Sequence, residues 1–233
     1  MKRIGILCAS DTELAPFLKR IPFPQITEKA MLKFYTGQIM QLEIVAVYSG
    51  VCKVNAAIAA QLLIDIFQVE GIINAGTAGG MDESVGLFDT IIADRMIYHD
   101  VAEDILTEFH PWLEENCFHA DGELLAIAKK YCKTAASPVR FGTMVTGEQF
   151  IEDEKREEIN KAFAPLSVDM ETAGAAHVCH VNAVPFLSVR TITDTAAHKG
   201  MENFERNCET ASDKSAEIVL GILAQLSKET EKN

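Results

Sequence analysis

The sequence lacks the features that mark several large classes of protein. No apolar run reaches the ~20 residues that a membrane-spanning helix needs. Basic residues are in short supply: 21 Lys and Arg stand against 34 Asp and Glu, which gives a net charge of −13. Because an acidic surface repels nucleic acid and anionic membranes, neither is an expected partner. The apolar N-terminal segment is too short for a signal peptide, and acids follow it, so a buried first strand is favoured.

Paired cysteines and convergent metal ligands are also missing. The six cysteines include no Cys-x-x-Cys pair, and several lie in apolar segments. This usage is typical of reduced, buried thiols in a cytoplasmic protein. His177 and His180 would share a helix face near Cys179, but no further converging ligand accompanies them. Since Zn²⁺ needs three or four such ligands, no metal site is predicted.

What is present is an alternation of strand-like and helix-like segments, with no repeat or linker dividing the chain. Strands are predicted at residues 3–9, 42–48, 71–75, 89–97, 140–145 and 185–193, and helices from about 11 and at 54–67, 122–132, 151–163, 172–180 and 203–226. Residues 101–119 lack periodicity and are predicted to form a loop. The pattern predicts one α/β domain over residues 1–233, with a central mixed, mostly parallel sheet between two helical layers and a frayed polar tail at 227–233.

A glycine-rich segment follows the third predicted strand. Residues 74–80 read Asn-Ala-Gly-Thr-Ala-Gly-Gly and contain neither a P-loop nor a dinucleotide-binding fingerprint. Glycine lets a backbone turn sharply or approach a ligand closely. Because Thr77 places a hydroxyl in the middle, we interpret the segment as a ligand-lining loop, with a tight structural turn as the alternative.

Acidic residues lie where predicted strands end, which is where loops open a crevice in α/β proteins. Glu13 fits the Ser-x-x-Glu spacing of a helix capping box, and it also fits a base at the mouth of the sheet. Asp169 and Glu171 flank a methionine at a strand-to-helix junction, where they suit either the helix dipole or a ribose diol. Asp194 is either a turn cap or a general acid, a role that needs a pKa raised by burial.

Three further residues accompany these acids. Arg190 lies in the middle of the last predicted strand and is expected to pair with a nearby carboxylate. Phe150 and Phe204 lie beside candidate ligand groups, so they are either core residues or stacking partners for a flat heterocycle.

Taken in order, these segments resemble the 5′-methylthioadenosine/S-adenosylhomocysteine nucleosidases of the nucleoside phosphorylase superfamily. The matching segments are residues 4–13, 49–54, 74–80, 98–100, 146–151, 168–172, 176–179 and 189–194. The resemblance implies a nucleoside phosphorylase-like fold and a homodimer without cofactor, in which residues of about 101–118 lie near the neighbouring active site. It also implies hydrolysis of 5′-methylthioadenosine and S-adenosylhomocysteine at the N-glycosidic bond, which releases adenine and the 5-thioribose product.

The resemblance further implies roles for the matching residues. Glu13 corresponds to the carboxylate that activates the attacking water, Asp194 to the acid that protonates adenine N7, and Glu171 to the residue that grips the ribose hydroxyls. The other implied substrate contacts are Val51 and Phe204 at the 5′-alkylthio group, Phe150 and Ile151 at adenine, Met170 under the sugar, Thr77 and Arg190 on the sugar and water side, and Thr193.

A phosphorylase of the same superfamily is the main alternative. Such enzymes use phosphate as the nucleophile and need cations around it. This chain has Glu13 and Asn74 at the two corresponding positions, and only Lys53 and Arg190 are basic in the relevant loops. An acid would repel phosphate, so hydrolysis is favoured.

The preferred 5′ group stays open. Ser10, Thr77 and Asp169 depart from the residues most common in the family, and residues 101–118 match poorly. A nucleosidase for futalosine or 5′-deoxyadenosine is therefore an alternative. A nucleoside-binding protein without activity is a third one, but such a protein would tend to lose the acids that this chain keeps.

Overall fold

A computed structural model describes residues 1–135, 137–151, 153–198 and 200–230. The strands are β1 (Arg3–Cys8), β2 (Gln25–Lys29), β3 (Leu32–Ile39), β4 (Leu42–Tyr48), β5 (Gly71–Gly80), β6 (Thr90–Tyr98), β7 (Phe118–His119), β8 (Val139–Thr146), β9 (Ser167–Asp169) and β10 (Phe186–Asp194). The helices are α1 (Asp11–Leu18), α2 (Lys53–Asp65), α3 (Ile105–Glu108), α4 (Gly122–Cys132), α5 (Asp153–Phe163), α6 (Thr172–Val181) and α7 (Met201–Thr230).

The described strands form one mixed sheet, as predicted, although parallel pairings are not in the majority. Five of the ten pairings are parallel, and five are antiparallel. β10 pairs with both β5 and β6, so β5, β9, β8, β6 and β10 form a closed ring. β1, β4, β3 and β2 extend from β5 as an open wing. The ring directs several strand ends towards the same region of the molecule.

Two apolar cores lie on opposite faces of the sheet, which confirms the three-layer architecture. One core joins α2 and α6 to the sheet and includes Leu63 and Ala175. The other joins α1, α4 and α7 and includes Phe17, Ile127 and Leu223. Side chains alternate between the faces of a strand, so a strand that is covered on both faces reads as a continuous apolar run.

The glycine-rich segment differs from its prediction. Residues 74–80 form neither a loop nor a turn but the second half of β5, which runs to Gly80. The first half pairs with β1 and β10, and the second half continues along β10 and then pairs with β9. Strand pairing satisfies the backbone groups of these small residues, so the segment stays extended.

The structure also differs from the prediction in two other regions. Residues 101–119, predicted as a loop, contain the short helix α3 and strand β7. The hairpin β2–β3 was not predicted, because β2 is almost entirely exposed and has no apolar face to give a pattern.

The last helix is longer than predicted. α7 runs from Met201 to Thr230, and Ser227, where a frayed tail was expected to begin, is buried in it. Residues 231–233 of that predicted tail lie outside the described residues. α7 alternates apolar and charged positions, and no helix among the described residues combines the length and apolar content that crossing a membrane requires.

Candidate active site

A cavity of about 330 Å³ lies at the carboxyl ends of the strands around β5 and β10. The ends of β1, β9 and β10, the second half of β5, the segments after β4 and β8, and the start of α7 form its walls. Every site residue predicted above lines it: Glu13, Val51, Thr77, Phe150, Ile151, Met170, Glu171, Arg190, Thr193, Asp194 and Phe204. The fold therefore gathers these side chains at one place.

The cavity has further walls that were not predicted. They are Ala9, Ser10, Ala78, Gly79, Gln149, Val168 and Met201. Most adjoin a predicted residue in sequence, and that adjacency was the available signal. Met201 lies three positions before Phe204, and residues three apart share a helix face, so the start of α7 presents both. Asp169, which the sequence indicated as a possible ribose contact, also lines the cavity.

Glu13 is buried, and its carboxylate is fully engaged. Oε1 accepts hydrogen bonds from the backbone N–H and the Oγ1 of Thr77, at 2.8 and 2.9 Å. Oε2 accepts from the backbone N–H groups of Ala9 and Ser10, at 2.7 and 3.2 Å. The Ser10 side chain in turn accepts from the Glu13 N–H, so the capping box is present. The two interpretations of Glu13 are thus compatible, since one carboxylate caps α1 and lines the cavity.

Gly76 provides the space for this carboxylate. A Cβ at position 76 would lie 2.4 Å from both Cδ and Oε1 of Glu13, closer than any tolerable contact. The glycine is therefore required by the approach of a side chain and not by a positive φ.

Arg190 joins the acids at the centre of the site. Its Nη2 lies 3.3 Å from Asp169 Oδ2 and 3.3 Å from Glu171 Oε2, and its Nη1 lies 3.7 Å from Glu13 Oε1. Asn74 Oδ1 accepts from Nε and Nη2, at 3.1 and 2.8 Å. The pairing expected of Arg190 is therefore observed, and this cation is fully committed to protein partners.

One buried guanidinium facing three carboxylates shifts the acidity of this cluster. Burial is the main cause that raises the pKa of Glu171 to about 7, with Asp169 and Glu13 adding to the rise and Arg190 opposing it. Burial alone would lower the pKa of Arg190, but the three carboxylates raise it, so Arg190 stays charged.

Glu171 and Asp169 both reach Arg190, as expected from their spacing, but Met170 lines the same cavity instead of facing away. The chain leaves the strand after Asp169, so the alternation of strand faces no longer applies. Glu171 Oε1 also accepts a hydrogen bond from the backbone N–H of Cys52, at 2.9 Å. Cys52 holds φ +85° and ψ 160°, a region almost confined to glycine. This strained residue orients Glu171 through its backbone, a contact that no side-chain pattern reveals.

Asp194 ends β10 beside a bulge. The register between β10 and β5 shifts between Ile192 and Asp194, so both Thr193 and Asp194 face the cavity. A bulge of this kind re-aims side chains. Thr193 Oγ1 donates to Asp194 Oδ1 at 2.8 Å. Burial raises the pKa of Asp194, and Thr193 and Arg156 partly offset the rise, so the shift has the direction that a general acid needs.

Apolar side chains form the other half of the cavity. The rings of Phe150 and Phe204 meet edge to face, with centroids 6.2 Å apart. Ile151 is buried behind them, and Met170 lines the cavity beside the acids. Such a wall suits a flat, uncharged ring more than an anion.

Lys53 lies outside the cavity. Its Nζ pairs with Asp100 Oδ1 at 2.7 Å and with Glu148 Oε1 at 3.8 Å, which ties together the segments after β4, β6 and β8. Of the two basic residues noted in the sequence, one is thus turned away and the other, Arg190, is neutralised.

A metal-like cluster occurs elsewhere in the described part of the chain. The ligand atoms of Glu115, Cys117 and His119 lie within 4.8 Å of one another. Arg95 Nη2 contacts two of them, at 3.4 Å from Glu115 and 3.7 Å from Cys117, so a cation already occupies this position. His177, by contrast, faces the ring of Phe118.

Comparisons with known proteins match this chain to one superfamily. The model of the phosphorylase superfamily matches residues 3–224. A 5′-methylthioadenosine/S-adenosylhomocysteine nucleosidase of Halalkalibacterium halodurans is 36% identical to this chain over 230 residues, which cover 97% of this chain and 100% of the relative.

Solved structures extend the similarity. The nucleosidase of the same name from S. pneumoniae, bound to the transition-state inhibitor MT-ImmA, has a TM-score of 0.87 at 30% identity over 96% of this chain and 99% of that one. The futalosine hydrolase of Helicobacter pylori strain 26695 has a TM-score of 0.88 over 96% and 98% of the two chains. At 24% identity, that second likeness concerns the fold alone.

Proposed function

The chain belongs to the phosphorylase superfamily and, within it, to the 5′-methylthioadenosine/S-adenosylhomocysteine nucleosidases, and from this premise we propose what its cavity does. The protein hydrolyses the N-glycosidic bond of 5′-methylthioadenosine and S-adenosylhomocysteine and releases adenine and the 5-thioribose product. The observation that carries this proposal is the placement of two buried carboxylates, Glu13 and Asp194, in one cavity with an apolar wall between the strand ends.

The two carboxylates have separate roles in the proposed reaction. Adenine leaves poorly as an anion, so Asp194 gives its proton to N7 while the C–N bond breaks and the bonding electrons pass to the base. Glu13 takes a proton from the water that adds to the sugar carbon. Glu171 accepts hydrogen bonds from the ribose hydroxyls, and the negative charge of the acid cluster stabilises the oxocarbenium-like sugar. The raised pKa of Asp194 has the direction that proton donation needs.

Hydrolysis fits this cavity better than phosphorolysis. A phosphate nucleophile needs uncommitted cations or several free N–H donors. Here the backbone N–H groups of Thr77 and Ala9 already donate to Glu13, and Arg190 faces three carboxylates. The negative charge of Glu13 would also repel phosphate at this position.

The purified protein is therefore expected to release adenine from 5′-methylthioadenosine in phosphate-free buffer, with methylthioribose as the second product. Adding phosphate should leave the rate unchanged. Release that depends on phosphate would identify a phosphorylase and remove the proposed role of Glu13. If S-adenosylhomocysteine, futalosine and 5′-deoxyadenosine are assayed in parallel, their relative kcat/KM values will define the preferred 5′ group.

The described chain leaves the 5′ side of its cavity open, which supports a homodimer. Val51, which corresponds to a 5′-group contact, is 50% exposed, and Met201, one helical turn before Phe204, is 48% exposed. Large apolar side chains are exposed on α2 and in the segment around residues 101–118, including Val54, Phe109 and Trp112, at 67, 59 and 66%. A second copy of the chain would cover these residues and close the 5′ side, so we infer that residues 101–118 lie near the neighbouring cavity.

Sedimentation velocity is expected to show twice the 25.6 kDa chain mass. Trp112→Glu should shift the protein towards monomer and raise KM for 5′-methylthioadenosine about tenfold or more, because a charge would be buried at the interface. Lys129→Glu, a charge change on α4 on the opposite face of the sheet, is the matched control. A wild-type monomer with full activity would overturn the dimer.

We also propose a cytoplasmic location. The six cysteines are free, and Cys8 and Cys179 are buried thiols. Unpaired cysteines in this number are typical of a reducing compartment. Cell fractionation is the direct check.

A further inference from the structure

Arg156 is a buried cation for which the proposed mechanism has no use. It lies on α5, next in the chain to the segment that carries Phe150 and Ile151, and it is 7% exposed. Its Nη2 lies 3.8 Å from Asp194 Oδ2. Its Nη1 donates a hydrogen bond to the carbonyl of Gly80 and contacts Met81 Sδ at 3.4 Å.

Arg156 contacts Asp194 from outside the cavity lining. It does not line the cavity, whereas Asp194 does. Burial of a guanidinium is costly unless it is paired and hydrogen-bonded. Among the described residues, the acid that pairs with Arg156 is Asp194, and the carbonyl at the end of β5 supplies the hydrogen bond. The contact therefore joins α5, β5 and β10 at the carboxyl group.

We propose that Arg156 is a positioning residue for the proposed general acid: it holds the Asp194 carboxyl group from outside the cavity lining and stabilises the carboxylate that remains after the proton has moved to adenine. The inference rests on the proposed function. In the step concerned, the O–H bond of Asp194 breaks, the N7–H bond forms, and the carboxylate gains a negative charge beside the guanidinium. Arg156 does not line the cavity, so it would act on the reaction through Asp194.

The environment of Asp194 gives this contact a measurable consequence. Burial raises the pKa of Asp194, and the hydrogen bond from Thr193 and the charge of Arg156 oppose the rise. Without Arg156, the acid would hold its proton to higher pH and give it up less readily. The contact thus keeps a buried acid strong enough to protonate a base.

Among the described residues, the other charged groups near Asp194 do not contact its carboxyl group. Glu13, Asp169, Glu171 and Arg190 line the same cavity, but none of them forms an ion pair or hydrogen bond with Asp194 in the described part of the structure. His198, in the turn after β10, and Glu202, Glu205 and Arg206, at the start of α7, are exposed. The pairing with Arg156 is therefore the electrostatic contact to test.

The first test is the pH dependence of kcat for 5′-methylthioadenosine. A general acid must be protonated, so kcat falls as pH rises through its pKa. In Arg156→Gln the alkaline fall should move up by about 1 pH unit, which is the low end of the shift that a neighbouring Arg causes. The plateau below it should drop several-fold, because the acid is weaker. Arg156→Lys keeps the charge and should keep the wild-type limb.

A matched control separates this effect from loss of charge alone. Arg140→Gln removes a guanidinium that pairs with Asp89 at the other end of β8, away from the cavity. Its profile should coincide with that of the wild type. If Arg156 merely anchors α5, Arg156→Gln will lower the melting temperature and leave the alkaline limb in place, and that result overturns the proposal.

A second readout does not depend on turnover. In ligand-free protein with ¹³C-labelled aspartate carboxyl groups, the Asp194 signal is assigned by its loss in Asp194→Asn. Its titration should move up by about 1 pH unit in Arg156→Gln and stay in place in Arg140→Gln. An unchanged titration in Arg156→Gln refutes the inference. If the wild type releases no adenine, the proposed function fails, but this titration still decides whether Arg156 controls the carboxyl group.

Discussion

Asp194→Asn is expected to reduce kcat for 5′-methylthioadenosine by about 100- to 10,000-fold, the range typical of a lost general acid. The amide has nearly the same shape and can hydrogen-bond to adenine, but it has no proton to give. KM should change little, since the ring still meets Phe150 and Ile151. Steady-state kinetics together with a thermal melt will separate lost chemistry from lost stability.

The matched control for this variant is Asp89→Asn, the same chemical change at a partly buried aspartate that pairs with Arg140. It should keep full activity. Near-normal turnover in Asp194→Asn would show that Asp194 is a structural cap at the end of β10, and the acid would have to be sought elsewhere.

Glu13→Gln is expected to reduce kcat to a similar extent, because a neutral amide cannot take a proton from water. The glutamine has one acceptor oxygen where Glu13 receives four hydrogen bonds. Its NH₂ group would face a donor, so unfolding should become easier by about 1–3 kcal/mol. Nucleoside binding, measured by calorimetry with 5′-methylthioadenosine, should persist.

Ser10→Ala tells the two duties of Glu13 apart. It removes the hydroxyl that caps the N-terminus of α1 and leaves the carboxylate in place. Losing such a cap costs about 1 kcal/mol of stability, whereas turnover should stay close to that of the wild type. If Glu13→Gln behaves like Ser10→Ala, with lower stability and normal kcat, Glu13 is only a helix cap.

Local patterns were sufficient for the elements that are covered by the core. β4 and α4 were predicted with the bounds that the structure has, because each carries a strong apolar pattern over its whole length. β2 has no such pattern, since its side chains are in solvent. The closure of the ring depends on β10 pairing with two strands that are distant in sequence, and no local signal encodes such a choice.

The site residues likewise divide into those that a sequence pattern reveals and those that depend on the folded structure. Carboxylates at strand ends are visible in a sequence because strand ends meet at one edge of a sheet. Cys52 was missed because it acts through a backbone N–H, whose direction depends on φ. Arg156 was missed because it lies in a highly charged helix, where an arginine is expected to face solvent. Its burial follows from the position of α5 against the ends of β5 and β10.

Because the Glu13 carboxylate fills the space beside Gly76, the residue at position 76 and the acid at position 13 depend on each other. Position 76 carries no functional group, yet replacing it with any other residue would remove the space that the carboxylate occupies. In a saturation mutagenesis library, tolerance at position 76 would therefore mimic that of an active-site position. Anyone who transplants this active site onto another scaffold must transfer the gap together with the acid.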